Sequence, residues 1–188
     1  IAIRIYRHNR INYRDKQDFL IKSYDYSNQI CHPDMTIYDE NLWLAFTPYP
    51  YGMEEYENPT VIHGRNLDEL KEKRQLPLDK PHHQTYGYHL SDPCLCEDEL
   101  GINCYYRESV RESDGSETNS ILVSRYNKDT DVWNPPQIIC RSNSHGYLSP
   151  AFLCIDSIMH CFYAEWKEES GNLCYAKVCD NAFEEETI

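Results

Sequence analysis

Short runs of alternating apolar and polar residues fill most of this 188-residue chain, and three of the segments that contain them begin alike. Each segment begins at a proline, passes through an acidic turn into an aromatic-rich run, and reaches a third apolar run after a longer polar stretch. The prolines are Pro33, Pro93 and Pro150, which lie 60 and 57 residues apart. Repetition at a fixed period indicates a fold made of equivalent, stacked units.

The runs within each unit have the length and alternation of β-strands. The aromatic runs and the third runs occupy residues 42–46 and 59–63, 102–106 and 120–124, and 159–163 and 173–178. A fourth strand is expected at 137–140. Four antiparallel strands per unit form a propeller blade. A proline suits the first position of a strand because its missing N–H need not enter the ladder.

The predicted fold is therefore an all-β propeller of four-stranded antiparallel blades, with about three blades present in one domain. The predicted parts of residues 1–188 are edge strands of a neighbouring blade (1–30), a blade (31–90), a second blade (91–148) and an incomplete third (149–188). Propellers normally have four to eight blades, so we expect that the chain is a fragment or that other chains add blades. A β-sandwich with chance spacing is the alternative.

Other local signals add little to this pattern. The edge strands are expected at 2–6 and 18–21, and the only predicted helix is a short charged one at 67–74, after Asn66. Sixteen tyrosines suit half-buried strands and polar clefts.

Charge and composition exclude several functions. The formal net charge of −13 disfavours binding to nucleic acids and to anionic membranes. No run approaches the roughly 20 apolar residues of a membrane span. Nine cysteines at irregular spacing predict neither a disulfide framework nor a zinc site, and they favour a reducing compartment such as the cytoplasm. No metal or other cofactor is expected.

The segments around the first two prolines resemble a known family. They include His32-Pro33-Asp34, the Thr-Pro-Tyr-Pro run at 47–50 that follows the first aromatic strand, Glu57-Asn58-Pro59, Ser91-Asp92-Pro93 and Tyr105-Tyr106-Arg107-Glu108. This combination is similar to the five-bladed arabinanase, xylosidase and fructosidase superfamily, in a branch related to glycoside hydrolase family 43. The resemblance covers roughly residues 30 to 180.

The resemblance implies an axial pocket to which each of the first three blades contributes one acidic residue. It implies a base or nucleophile from blade one, a charge-tuning Asp from blade two and a Glu acid from blade three. This chemistry needs one protonated and one charged group flanking a glycosidic bond. Asp34 fits blade one, although it follows its proline, and Asp92 fits blade two. Blade three has Ser149 where the family has Glu.

Glu165 is the substitute acid that we predict for blade three, with Glu108 and Glu57 as further candidates. A surface charge beside Lys167 is the alternative for Glu165. Asp34 and Asp92 could instead cap turns.

Six residues are predicted to bind a carbohydrate substrate. His32 is expected to hydrogen-bond to the sugar, and a satisfied structural histidine is the alternative. Arg107 is expected to hold a pocket carboxylate in its charged form or to bind substrate, and an ion pair between blades is the alternative. Tyr49 and Trp166 are candidates for stacking on a sugar ring, against core or rim packing. Glu57 and Asn58 complete the set.

Three hypotheses about function follow. The first is a glycoside hydrolase that uses carboxylates of the axial pocket. The second is a glycan-binding propeller that lacks the blade-three acid and has no activity. The third is a structural or interaction propeller, because a fold alone does not specify a function.

Overall fold

The computed structural model describes residues 2–8, 16–23, 28–50, 58–72, 76–77, 88–111, 113–143, 146–167, 170–179 and 182–186. The described residues form fifteen strands and one helix. In chain order these are β1 (Ala2–His8), β2 (Lys16–Ser23), β3 (Asn28–Tyr38), β4 (Asn41–Pro50), β5 (Thr60–Gly64), α1 (Leu67–Glu72), β6 (Leu76–Pro77), β7 (Tyr88–Asp98), β8 (Gly101–Arg111), β9 (Glu117–Asn127), β10 (Val132–Trp133), β11 (Gln137–Ser142), β12 (Leu148–Ile155), β13 (Ile158–Lys167), β14 (Ser170–Cys179) and β15 (Ala182–Glu186).

The strands form three antiparallel blades and a two-stranded sheet. Blade one has the order β3-β4-β5-β6, and blade three has β12-β13-β14-β15. Blade two has β7-β8-β9, with both β10 and β11 paired to β9. β1 pairs with β2. The prediction of an all-β propeller with four-stranded blades is confirmed. The prediction that each proline begins a strand is wrong, because Pro33 and Pro93 lie five residues inside β3 and β7, and Pro150 lies two residues inside β12. Each lies at an interruption of the ladder, where its missing N–H is not needed.

The helix begins where the sequence predicts it. The Asn66 side chain accepts the backbone N–H groups of Asp68 and Glu69 at 3.0 and 2.9 Å, which is how an N-cap satisfies the first turn. Glu69 in turn accepts the Arg65 N–H at 3.0 Å. No described helix is long and apolar enough to span a membrane.

Alternation along each strand sends side chains towards the blade on either side. Between blades one and two, Trp43 lies edge-on to Tyr126 and Trp133, with ring centroids 4.8 and 6.3 Å apart. Between blades two and three, the Tyr105 ring stacks on Phe152 at 3.9 Å. The two cores of the described structure therefore lie between blades.

A repeated hydrogen bond also joins the blades near the prolines. The Asp34 carboxylate accepts the Leu95 N–H of blade two at 2.6 Å. Cys94 holds the same position in blade two, and its Sγ accepts the Phe152 N–H of blade three at 3.4 Å. The residue after each of these prolines thus accepts a hydrogen bond from the equivalent strand of the next blade, and this bond joins the two blades.

Phe152 and Phe162 of blade three test this packing as a matched pair. Phe152 is 7% exposed against blade two, whereas Phe162 is 43% exposed on the opposite face. We expect Phe152→Ala to lower the free energy of unfolding by about 3–5 kcal/mol, the usual cost of truncating a core Phe. Phe162→Ala should cost clearly less, because the native structure buries a smaller part of the Phe162 side chain. Urea denaturation measures both, and equal losses would contradict the assigned interface.

Candidate functional site

The segments around Pro33, Pro93 and Pro150 meet at one cavity of about 230 Å³, which we call the axial cavity. Nine described residues line it, three from each blade: His32, Pro33, Asp34, Asp92, Pro93, Cys94, Ser149, Pro150 and Ala151. The positions are equivalent in the repeat, because each blade contributes its proline and the residue on either side. The predicted residues His32, Asp34 and Asp92 are therefore brought together.

The backbone before each proline has an unusual conformation. His32, Asp92 and Ser149 have φ of 51°, 53° and 47°, the left-handed region that side chains other than Gly rarely adopt. The pairing between the first and second strands is interrupted at the same place in every blade. Such bulges redirect side chains and occur next to active sites. Strained residues of this kind also cluster at functional sites.

The repeat aligns His32, not Asp34, with Asp92. The equivalent positions before the prolines thus carry His32, Asp92 and Ser149, while Asp34 aligns with Cys94. The sequence contains this signal, since it is enough to superpose the three prolines. One Asp34 oxygen accepts the Leu95 N–H, and the side chain still lines the cavity.

Asp92 is the most connected side chain of the cavity. It is buried, and its Oδ2 accepts the Ser91 hydroxyl at 2.9 Å. Arg107 Nη1 lies 3.7 Å from Oδ2, and His32 Nδ1 lies 2.7 Å from Oδ1. The ring N–H is not aligned with Oδ1, so this contact is a close ion pair and leaves Oδ1 without a regular hydrogen bond.

These contacts set the charges of both partners. Burial alone would raise the pKa of Asp92, but the neighbouring His32, Ser91 and Arg107 together lower it below its ordinary value. The Asp92 carboxylate raises the pKa of His32, against a smaller opposing effect of burial and of Arg107. The cavity therefore favours a carboxylate next to an imidazolium.

Arg107 is held in place by strand β9. Its Nε and Nη2 donate to Asn119 Oδ1 at 3.4 and 3.2 Å, and Nη2 lies 3.8 Å from Glu117. Ser109 donates to the same Glu117 carboxylate at 2.8 Å. Asn119 was not predicted as a site residue, because only the pairing of β8 with β9 brings it to Arg107.

Glu165 and Glu108 lie at equivalent places on the second strands of blades three and two. Glu108 follows Arg107, which pairs with the residue two positions before Pro93. Glu165 follows Ala164, which pairs with the residue two positions before Pro150. Both are buried, so the surface-charge alternative for Glu165 is wrong. Neither is among the described residues that line the axial cavity. Glu108 has no hydrogen-bond partner, and Arg141 Nη2 lies 3.9 Å from its Oε2.

The structure describes the other predicted binding residues only in part. Asn58 is half-buried, and its backbone carbonyl accepts the Thr60 hydroxyl at 3.1 Å. Glu57 lies outside the described residues. Tyr49 and Trp166 are strand positions in β4 and β13 whose side chains are likewise outside the described part. Within that part, no group of three or more His, Cys, Asp or Glu could hold a metal ion.

Comparison with known proteins identifies the fold. No family model matches the sequence, and no curated protein matches it significantly. Solved structures do match. A family-117 glycoside hydrolase of the marine bacterium Zobellia galactanivorans aligns with 100% of this chain and 61% of its own, at 10% identity and a TM-score of 0.67. An α-L-arabinanase of Cellvibrio cellulosa, complexed with arabinohexaose, aligns with 98% and 68%, at 11% identity and a TM-score of 0.60.

A thermostable family-43 glycoside hydrolase is also similar, over 82% of this chain and 53% of its own, at 11% identity and a TM-score of 0.59. The chain thus spans between about half and two thirds of the length of these structures. It shares the β-propeller fold of these solved structures.

Ser149 and Ala151 provide a test of whether the left-handed conformation before the prolines is strained. Ser149→Gly should raise the free energy of unfolding by up to about 1 kcal/mol, because relief of the left-handed conformation exceeds the entropy cost of Gly. Ala151 does not have a positive φ, so Ala151→Gly should lower it by about 0.5–1 kcal/mol. Urea titrations of both variants give the signs. Destabilisation by both would contradict strain at Ser149.

Proposed function

We propose that this protein is a carbohydrate-active propeller that hydrolyses glycosidic bonds in the axial cavity. The observation that carries the proposal is the pairing of His32 with Asp92 at a cavity where strained positions of three blades converge. Glycoside hydrolysis needs a proton donor for the leaving oxygen and a charged carboxylate that activates water or attacks the anomeric carbon. The cavity holds candidates for both.

His32 is the proton donor in this proposal. Nδ1 faces Asp92, and the side chain is 42% exposed at the cavity. Among the described residues, Asp92 is the only ion-pair partner of the ring, which leaves Nε2–H for the leaving oxygen. The raised pKa of His32 keeps a larger fraction of the ring protonated near neutral pH. An imidazolium thus supplies the proton that a carboxylic acid supplies in most glycosidases.

The two carboxylates have different roles. Asp92, held charged by Ser91 and Arg107, keeps His32 protonated and stabilises the positive charge that develops on the sugar ring. Asp34 lines the same cavity, and the Leu95 N–H occupies only one of its oxygens. We therefore assign Asp34 as the base or nucleophile. Glu165, the acid predicted from the sequence, is buried and is not among the described lining residues; it stays the alternative to His32 for this role.

The substrate class follows from the fold neighbours and from the cavity. One neighbour is an arabinanase in complex with arabinohexaose, which makes arabino-oligosaccharides the first substrates to assay and xylo-oligosaccharides the comparison. The positive charges of His32 and of the adjacent Arg107 balance the carboxylates of Asp92 and Asp34, so the cavity suits an uncharged sugar. A glycan that binds without turnover would support the binding-only alternative.

Asp92→Asn in the intact protein tests the coupling to His32. A general acid must be protonated, so the rate should fall as pH rises through the His32 pKa. Without the Asp92 charge that pKa drops, and the alkaline limb of kcat/KM moves to lower pH. We also expect kcat to fall on the order of 10²-fold. Steady-state rates on arabinohexaose between pH 4 and 9, which extends roughly 2.5 pH units to either side of the ordinary histidine pKa, give both readouts.

The exposed Asp39 at the β3–β4 turn is the matched control. Asp39→Asn removes the same charge at an ion pair with Lys128 and should leave the profile unchanged. His32→Gln should remove the alkaline limb and cost about 10²–10⁴-fold on oligosaccharides, but much less on aryl glycosides whose leaving group needs no proton. Equal losses on both substrates would rule out His32 as the acid.

A further inference from the structure

A second cavity lies between blades two and three and shares no lining residue with the axial cavity. Its volume is about 540 Å³, within the range of roughly 300–1,000 Å³ for small-molecule sites. Blade two forms most of the wall, and Cys154, Ser157, Met159 and Val178 of blade three close it. We call this space the interblade cavity. The proposed reaction does not use it.

One wall of the interblade cavity is an ordered polar network. Arg125 donates from Nε to Asn103 Oδ1 at 3.0 Å and from Nη2 to Asp98 Oδ2 at 2.9 Å. The other Asp98 oxygen accepts the Leu100 N–H at 2.8 Å. Two contacts on planar groups hold the guanidinium in one orientation, so the polar atoms of this wall are fixed before any ligand arrives.

Asn103 is left with an unsatisfied donor in this wall. The residue is 1% exposed, and its Nδ2 has no hydrogen-bond acceptor. A buried donor without a partner costs about 1–3 kcal/mol, so native structures rarely retain one without a reason. Asn103 lines the interblade cavity, so a small shift of its side chain would bring this donor to an oxygen of a bound ligand.

The rest of the lining is largely apolar. Tyr105 and Val123 pair with each other on β8 and β9, directly beside the Asn103–Arg125 pair and on the same face of blade two. Met159 and Val178 line the cavity from blade three. A ligand in this cavity thus meets hydrogen-bonding groups next to C–H surface, a combination that suits the hydroxyl groups and C–H faces of a sugar ring.

We propose that the interblade cavity is a binding site for a neutral, hydroxyl-rich ligand of the oligosaccharide class. The Arg125 and Asp98 charges cancel, so the wall does not select an anion or a cation. Hydroxyl groups both accept and donate hydrogen bonds, and so can serve Asn103 Nδ2 and the carboxylate of Asp98 at once. Amide and exposed hydroxyl groups of Asn134, Gln137 and Ser157 extend the polar wall towards solvent.

Gln137 and the adjacent Ile138 allow a matched test. Gln137 lines the interblade cavity, pairs with Val123 and is exposed. Ile138 pairs with Leu122, which belongs to the core on the other face of blade two, and is 40% exposed. Gln137→Trp places an indole in the cavity, whereas Ile138→Trp places the same group on the opposite face of the sheet.

The experiment is calorimetric titration of the intact protein with arabinohexaose and with xylohexaose, in an Asp92→Asn background whose turnover should be slower on the order of 10²-fold. We expect Gln137→Trp to weaken binding of at least one oligosaccharide by tenfold or more. Ile138→Trp should leave it within twofold, and both variants should keep the parent melting temperature within a few degrees.

Three outcomes would overturn the proposal: no Gln137-dependent binding of either oligosaccharide, equal losses in the two Trp variants, or Gln137-dependent binding of sulfate or phosphate instead. The proposed hydrolysis is tested separately, by turnover in the protein with Asp92 intact. A failure of one proposal is therefore distinguishable from a failure of the other.

Discussion

The left-handed residue before each proline is the constraint on which the site depends. A proline fixes its own φ and restricts the residue before it, and a positive φ at a non-Gly residue adds strain of about 1–3 kcal/mol. The structure retains this conformation at His32, Asp92 and Ser149. The conformation persists because the residues around it are fixed twice, by the strand ladder within a blade and by the contacts between blades. Those contacts are the stacked rings and the hydrogen bonds that Asp34 and Cys94 accept from the next blade.

This constraint also explains how much the sequence could predict. The proline spacing and the aromatic runs were enough for the blades, since propeller strands are short, local and antiparallel. The sequence also identified the axial residues His32, Asp34 and Asp92, because position in a repeat carries over directly into three dimensions. Superposing the three prolines also aligns His32 with Asp92, but the resemblance drew attention to the carboxylate of Asp34 and away from the histidine.

Contacts across strands could not be predicted in the same way. Arg107 reaches Asp92 only because its guanidinium is held by Asn119, twelve residues away in sequence and adjacent in the sheet. The burial of Glu165 was missed for a similar reason. A charged sequence neighbourhood suggests solvent, whereas strand alternation can turn a single carboxylate into the interior. Pairwise register decides both outcomes, and a single sequence does not contain it.

The three equivalent positions before the prolines carry a histidine, an aspartate and a serine, and this combination favours a protonated His32. Two carboxylates at neighbouring positions would repel each other, and one would have to take up a proton. Replacing one with His32 turns that repulsion into attraction at 2.7 Å. The net charge of −13 adds little, because charges beyond about 8–10 Å are screened at physiological salt. The local pair therefore outweighs the global field. In the proposed reaction this allows proton donation near neutral pH without a buried carboxylic acid, and blade three can carry a neutral Ser149.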